Sequence, residues 1–132
     1  RPELAPAPEE FAGIVAGAVR KHRLEARVII QSFDFRVLEV LERIAPAMPR
    51  AALWSQGATD FVSVCTKARA TIASPHYTLV TPERVAAAHA AGLKVVTWTA
   101  NTPDVWQRLL DAKVDGIITD DPAALLAWMK GR

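Results

Sequence analysis

Residues 95–126, VVTWTANTPDVWQRLLDAKVDGIITDDPAALL, contain two copies of one pattern. Each copy begins with a short apolar run rich in β-branched residues, at 95–99 and at 116–119. A polar residue and a proline follow, at 102–103 and at 121–122, which is a usual start of a helix, and apolar residues at helical spacing come next. This stretch predicts two successive units, each of one strand and one helix.

The same unit recurs towards the N-terminus, with short apolar runs at 28–33, 51–54 and 71–74. Successive runs begin about 20–24 residues apart, which is the length of one strand, one helix and their loops. Because the runs are apolar without clean alternation, they are typical of parallel strands covered by helices. A leucine-rich repeat has a similar period, but its Leu-x-x-Leu-x-Leu frame is absent. The sequence therefore predicts a parallel α/β fold with right-handed crossovers.

Polar caps, prolines and glycines mark the predicted helices between these runs. Asp34 is placed to cap the helix after the first run, and a further helix is expected at about 59–69. Thr81-Pro82 opens a helix that Gly92 closes. The first helix begins at Pro8, after a proline-rich segment over residues 1–7 that we expect to be a linker, and its basic end suits the helix dipole. That basic end consists of Arg20, Lys21, His22 and Arg23.

Composition limits the possible classes of protein. The chain has 132 residues, of which 51% are hydrophobic and 23% charged, so we expect one globular domain. That length is too short for a closed (β/α)8 barrel, which typically needs about 250 residues. The net charge of +2 gives no electrostatic footprint for nucleic acid, and no apolar run is long enough to span a membrane. The single cysteine, Cys65, excludes a disulfide within the chain and a cysteine-rich zinc site. We expect a soluble chain and favour the cytoplasm.

Three junctions, at 31–34, 97–101 and 118–121, place polar side chains where predicted strands end. In parallel α/β folds, ligands bind at the carboxyl ends of the strands. A tryptophan inside a strand, Trp98, is followed three residues later by Asn101, and a buried indole N–H needs a partner. Two interpretations stay open: a binding site, or a core tryptophan beside an asparagine that helps to start the next helix.

Other candidates for chemistry are weaker. Asp120 and Asp121 form either a carboxylate pair or, preferably, a helix cap. We expect His89 to be a surface or packing residue. A ligand role for His76 is the less favoured alternative, and we do not expect Cys65 to be a nucleophile. Glycine-rich nucleotide motifs and the Gly-x-Ser-x-Gly motif are absent, and no pair of histidines or acidic cluster has catalytic spacing.

Four stretches together resemble the glycerophosphodiester phosphodiesterase family: 30–34, 85–93, 96–101 and 114–122. The resemblance extends over nearly the whole chain from about residue 26, but only to the C-terminal half of that family's catalytic domain. It implies a fold with parallel βα units that form the C-terminal half of a (β/α)8 barrel, so that residues 1–132 are one partial domain. The implied reaction, part of lipid metabolism, is hydrolysis of a glycerophosphodiester to glycerol 3-phosphate and an alcohol.

The same resemblance implies which parts of the site this chain carries. In the family, two histidines act as acid and base, and acidic side chains hold a divalent metal, Mg²⁺ or Ca²⁺; all come from the N-terminal half. We therefore expect no catalytic residue and no metal ligand here, and an isolated chain without activity. Trp98 would pack against the substrate, and Asn101 would form hydrogen bonds near the phosphate or the metal shell. Ser32 and Phe33 would line the mouth, although strand alternation lets only one of Gln31 and Ser32 face the lumen.

Two rival functions remain at this stage: a non-catalytic module that keeps the pocket, and a small open α/β domain that binds phosphate or another small anion at its helix N-termini. A partial barrel also has open strand edges and an uncovered inner face, and both favour association. We therefore expect the partner to be either the missing N-terminal half or a second copy of the chain.

Overall fold

The computed structural model describes residues 7–21 and 29–131, and these form one α/β unit. The five strands are all parallel and lie in the order β1-β2-β3-β4-β5, so each strand pairs with the next one along the chain. The predicted parallel α/β class is confirmed. The elements are α1 (Pro8–Lys21), β1 (Ile30–Ser32), α2 (Phe35–Ile44), β2 (Arg50–Trp54), α3 (Phe61–Ala68), β3 (Ile72–Pro75), a 3-10 turn (Tyr77–Leu79), α4 (Pro82–Ala90), β4 (Lys94–Thr97), α5 (Pro103–Asp111), β5 (Gly116–Ile117) and α6 (Pro122–Lys130).

The helices begin where the polar residues and prolines predict. Asp34, Asp60, Thr81 and Asp121 each accept a hydrogen bond from a backbone N–H in the first turn of the following helix. Asp121 is thus a helix cap, as preferred from the sequence. Gly92, with φ of +81°, follows the end of α4 in the left-handed conformation that favours glycine.

Predictions for the N-terminal region fall partly outside the described residues. The expected linker is one of them, since only Ala7 of residues 1–7 is described. Arg20 and Lys21 form the basic end of α1, and Arg20 Nη2 donates to the carbonyl of Ile44 at 2.7 Å. His22 and Arg23, at the end of the same basic run, also lie outside the described residues.

Two strands are shorter than expected at their carboxyl ends. β4 ends at Thr97, and Trp98 forms an isolated parallel bridge with His76. β5 ends at Ile117, although Ile118 N–H still donates to the carbonyl of Thr97. Beyond these strand ends, Asn101 Nδ2 donates a hydrogen bond to Asp120 Oδ2, so side chains join the two loops.

One face of the sheet packs against the helices and forms the main core. Its strand residues alternate with those of the other face, as the period of two requires. The core includes strand residues Ala52, Trp54, Ala73 and Val95 and helix residues Leu38, Phe61, Val85 and Leu109.

The other face surrounds a hollow of about 190 Å³. Side chains from β1 to β4, together with Ile118 just after β5, line this hollow. In a flat sheet, four strand spacings separate β1 from β5 by about 19 Å, which is too wide for both to line one hollow of this volume. The sheet is therefore curved, as in part of a barrel. The lining residues are Ile29, Gln31, Ala51, Ile72, Ser74, Val96 and Ile118.

The curved sheet is open at both ends within the described residues. β1 pairs only with β2, and β5 pairs only with β4. A closed barrel of this class has eight strands, so five strands leave space for three more. No helix in the described part of the chain is both long and apolar enough to cross a membrane.

Candidate functional site

The carboxyl ends of the five strands meet at one edge of the sheet, and two groups of side chains lie there. The first, which we call the aromatic cluster, consists of Phe33, His76, Tyr77 and Trp98. The second, the polar cluster, consists of Asn101, Thr119 and Asp120. The three junctions singled out in the sequence thus contribute to one edge.

Trp98 is the centre of the aromatic cluster. Its ring lies 5.7 Å from Phe33 and 5.0 Å from His76, with both rings nearly perpendicular to it. Its indole Nε1 donates a hydrogen bond to the carbonyl of Ser74 at 2.8 Å. The indole N–H has the partner that the sequence analysis required, and that partner is the backbone of β3. The indole N–H is therefore fixed by β3, and the half-exposed ring is held in place beside Phe33, which is 61% exposed.

His76 joins the cluster directly after β3. Its backbone N–H donates to the carbonyl of Trp54, and its ring packs against Tyr77 at 4.5 Å. A ligand role for His76 was the less favoured interpretation of the sequence, because the residue lies in the segment where the pattern of strands and helices is weakest. The available signal was its place after Pro75, at the carboxyl end of a strand, which makes it a fourth junction residue.

Two arginines fasten the 3-10 turn that follows His76. Arg108, from α5, donates to the carbonyls of Tyr77 and Val80 at 2.7 and 2.8 Å. Arg84, from α4, donates to the carbonyl of Leu79 at 2.7 Å. Both guanidinium groups therefore hold the turn in place. Through the turn they also fix the position of His76, which directly precedes it. The sequence alone did not indicate this role.

Asn101 connects the ends of β4 and β5. Its Nδ2 donates to Asp120 Oδ2 at 2.8 Å. Its Oδ1 accepts from Thr119 Oγ1 at 3.0 Å and from the backbone N–H of Asp120 at 2.9 Å. The interpretation that Asn101 helps to start the next helix is wrong, because α5 has Thr102 at its N-cap and Asn101 bonds across to the other loop. Among the residues that the structure describes, the second N–H of its amide group has no hydrogen-bond partner.

At the end of β1, successive side chains lie on opposite faces of the sheet. Gln31 lines the hollow, whereas Ser32 lies on the helix-covered side, where Oγ accepts a hydrogen bond from Asp34 N–H at 2.9 Å. Of the pair weighed in the sequence analysis, Gln31 is the one that faces the interior. A hydrogen bond from the Arg36 side chain holds the pKa of Asp34 below its ordinary value, so this carboxylate is already paired at the mouth.

The remaining candidates lie away from this edge. Cys65 is buried in the core, and desolvation raises the pKa of its thiol to about 12, which excludes it as a ready nucleophile. His89 lies on the exposed surface of α4, where Nε2 is 2.8 Å from Asp115 Oδ2 near the amino ends of β4 and β5, which agrees with the surface alternative of its expected role.

Asp115, just before β5, connects the amino ends of the strands to α4. It accepts from the backbone N–H of Val95 at 2.7 Å as well as from His89. Partial burial alone would raise the pKa of Asp115, but these hydrogen bonds and the charges of His89 and Lys94 lower it on balance. The charged form is therefore favoured in the folded state.

The described residues do not offer a metal centre. Within residues 7–21 and 29–131, no group of three or more His, Cys, Asp or Glu side chains is arranged to hold a metal ion. At the carboxyl edge, Asp120 is bonded to Asn101 and Asp121 caps α6. A divalent cation normally takes more oxygen ligands than this pair supplies.

Comparison with known proteins places the chain in one family. The profile of the Glycerophosphoryl diester phosphodiesterase family matches residues 7–124. A glycerophosphodiester phosphodiesterase of Caldanaerobacter subterraneus subsp. tengcongensis is 32% identical over 109 residues, which are 83% of this chain and 45% of that protein. The resemblance seen in the sequence is thereby confirmed.

Solved structures agree with this assignment. A Silicibacter pomeroyi protein assigned as a glycerophosphoryl diester phosphodiesterase superposes with a TM-score of 0.86 at 32% identity, over 94% of this chain and 45% of that chain. An Oleispira antarctica phosphodiesterase, solved in complex with the product sn-glycerol-3-phosphate, superposes with a TM-score of 0.83 over 93% of this chain and 50% of that chain. Its 18% identity supports likeness of fold alone. The chain spans about half the length of the relatives it matches.

Proposed function

This chain belongs to the glycerophosphoryl diester phosphodiesterase family, and from that premise we propose that it is the C-terminal part of a catalytic domain that hydrolyses glycerophosphodiesters. The products would be glycerol 3-phosphate and an alcohol. The observation that carries the proposal is the contact of Phe33 with Trp98 at the carboxyl edge of a curved parallel sheet, where this fold class binds ligands, with Asn101 joined to Asp120 at the same edge.

The proposed role of this chain is to form one wall of the substrate pocket. The ring of Trp98, fixed through Ser74, would pack against the carbon skeleton of the substrate, and Phe33 would cover it from the β1 side. Asn101 would donate its remaining N–H near the phosphate or the metal shell. Ser32 would contribute at the rim, through the turn that it forms with Asp34. Together these groups orient the substrate and exclude water from one side.

The acid–base groups and the metal ligands are proposed to lie outside this chain. When bound, a divalent metal, Mg²⁺ or Ca²⁺, would neutralise charge on the phosphate. The described residues do not fit a metal, because Asp120 and Asp121 are bonded to Asn101 and to the start of α6. We therefore assign the chemical step to the missing part of the barrel and binding to this part.

The open edges of the sheet indicate what completes the protein. The five strands of this chain and three more would close an eight-stranded barrel, whereas two copies would bring ten strands together. An N-terminal half that contributes three strands therefore suits the geometry better than a second copy.

The rival function, binding of a small anion at helix N-termini, is disfavoured by the caps. Aspartate carboxylates already accept from the first-turn N–H groups of α2, α3 and α6. An anion would have to displace a group of the same charge at each of these positions.

The proposal is tested by determining the reading frame upstream of Arg1 and assaying the longer product. We expect a His-Arg-Gly segment and an acidic strand upstream, and release of glycerol 3-phosphate from glycerophosphocholine with Mg²⁺ or Ca²⁺. The 132-residue chain is the control, and we expect it to be inactive. A longer product without activity would overturn the proposed reaction, and metal-dependent hydrolysis by the pure chain would overturn the proposed division of roles.

A further inference from the structure

We infer that His76 is a specificity-determining residue of the carboxyl edge, and that its Nε2–H donates a hydrogen bond to a hydroxyl group of the glycerol part of the ligand. This inference rests on the proposed function and deepens it, because neither the sequence motifs nor the family resemblance assigned a role to His76. Its ring belongs to the aromatic cluster and lies 5.0 Å from that of Trp98.

The contacts of the ring determine which nitrogen carries the proton. Nδ1 of His76 accepts a hydrogen bond from the backbone N–H of Thr78 at 3.3 Å and lies 2.8 Å from Thr78 Oγ1. A ring nitrogen that accepts from an N–H carries no proton of its own, so the contact with the Thr78 N–H favours the tautomer with the proton on Nε2. Within the described residues, Nε2 has no hydrogen-bond partner of its own. It is therefore a donor available to a ligand.

The imidazole is also held in position before any ligand arrives. Its ring packs between Tyr77 and Trp98, and its backbone forms the bridge to Trp98 that continues the pairing of β3 with β4. Arg84 and Arg108 fasten the turn that follows. A donor on a fixed ring loses little conformational entropy on binding, which favours discrimination between ligands.

The surroundings of His76 favour a hydroxyl group over a phosphate. Its described partners are aromatic rings and a threonine, while the nearest guanidinium groups donate to backbone carbonyls. Phosphate groups are usually bound by charged donors, such as arginine. A single N–H donor beside aromatic faces instead suits a carbon chain that carries hydroxyl groups. The glycerol part of the substrate has this chemistry.

The test is an NMR titration of the 132-residue chain, which can detect weak binding. The probes are sn-glycerol 3-phosphate, its two singly deoxygenated analogues (propane-1,2-diol phosphate and propane-1,3-diol phosphate), and inorganic phosphate. The signals followed are the imidazole nitrogens of His76 and the indole N–H of Trp98. We expect glycerol 3-phosphate to shift both, and one of the two analogues to bind about fivefold more weakly, the effect of one hydrogen bond.

Three variants distinguish the loss of the His76 hydrogen-bond donor from a disturbance of the turn. His76→Phe keeps an aromatic ring beside Trp98 but has no donor, so we expect the preference for glycerol 3-phosphate over that analogue to vanish. His76→Gln retains a side-chain N–H donor and should keep part of the preference. Thr78→Val disturbs the same turn but leaves Nε2–H in place, so its preference should remain near that of the unchanged chain.

Each result bears on the inference. Binding of glycerol 3-phosphate with a preference that survives in His76→Phe overturns the role of His76 and leaves the proposed function standing. Equal binding of glycerol 3-phosphate and both analogues by the unchanged chain also overturns the inference alone. If no probe shifts the Trp98 signal, the proposed pocket wall is wrong and the inference falls with it.

Discussion

At the scale of single residues, the carboxyl edge depends on side chains that bond across loops. Asn101 satisfies three groups of the loop after β5, and Trp98 is fixed by a carbonyl of β3. Both residues hold neighbouring strand ends together. In the proposed site, Trp98 would also present an aromatic face to a ligand, and Asn101 an N–H. A substitution at either position therefore affects the fold and the proposed site together.

Replacement of Asn101 by alanine should lower the free energy of unfolding by about 1–2 kcal/mol, because it removes three hydrogen bonds at a partly exposed position. Urea unfolding followed by circular dichroism measures this change. The matched control is Thr102→Ala, because Thr102 is the N-cap of α5 but makes no side-chain cap hydrogen bond. This variant should lower the free energy of unfolding by no more than about 0.5 kcal/mol. Equal losses in both variants would contradict the connecting role of Asn101.

The lowered pKa of Asp115, at the amino ends of β4 and β5, predicts that the stability of the chain depends on pH. Its pKa is lower in the folded state than in the unfolded state, so its contribution to stability is present above its ordinary pKa, about 3.9, and is lost as the pH falls through the folded value. Asp115→Asn should therefore destabilise the chain at neutral pH by about 1 kcal/mol and have a smaller effect below about pH 4. Urea midpoints of both proteins across this range measure the effect. His89→Gln is the control that separates the contribution of the histidine, and a difference independent of pH would refute the prediction.

At the scale of elements, the repeated βα units account for most of the structure, and the 3-10 turn after β3 is the main departure from them. The turn replaces a direct connection from β3 to α4 and places His76 beside Trp98. Its carbonyls are satisfied by arginines from two helices that lie later in the chain. Its geometry is therefore a property of the packed helices and not of residues 77–79 alone.

Arg108→Met should loosen this turn, because two carbonyls lose charged donors while the apolar stem of the side chain is retained. We expect a loss of about 1–3 kcal/mol in the free energy of unfolding and faster hydrogen exchange at the amides of 76–80. Arg43→Met is the control, since Arg43 makes an exposed ion pair with Glu9, which is expected to contribute little. Unchanged exchange in the turn would show that Arg108 does not hold it.

At the scale of the whole molecule, the curvature of the sheet leaves an uncovered inner face. Gln31 and Ser74 are the polar residues that line a mainly apolar hollow, and Ile29 at its margin is half exposed. Phe11 and Ile14 of α1 and Leu126 and Met129 of α6 are also exposed, on the first and the last of the described helices. Such surfaces associate in water unless they are covered.

We therefore expect the isolated chain to associate, and light scattering during size-exclusion chromatography to give a mass above that of one chain. Ile29→Glu places a charge at the margin of the hollow and should shift the distribution towards the monomer. Thr66→Glu, on the exposed surface of α3, is the control and should leave the distribution unchanged. A monodisperse monomer at every concentration would contradict the expectation.

The sequence by itself determined the βα repeat, the starts of the helices and the family, because caps, prolines and apolar spacing act over a few neighbouring residues. It also identified Trp98, Asn101 and Phe33, since each stands where a strand ends. Only the tertiary structure decided the rest: that His76 joins Trp98, that Asn101 bonds to Asp120, and that Gln31 rather than Ser32 faces the hollow. These pairings join residues about twenty positions apart, and their geometry depends on the curvature and register of the whole sheet, which no local pattern encodes.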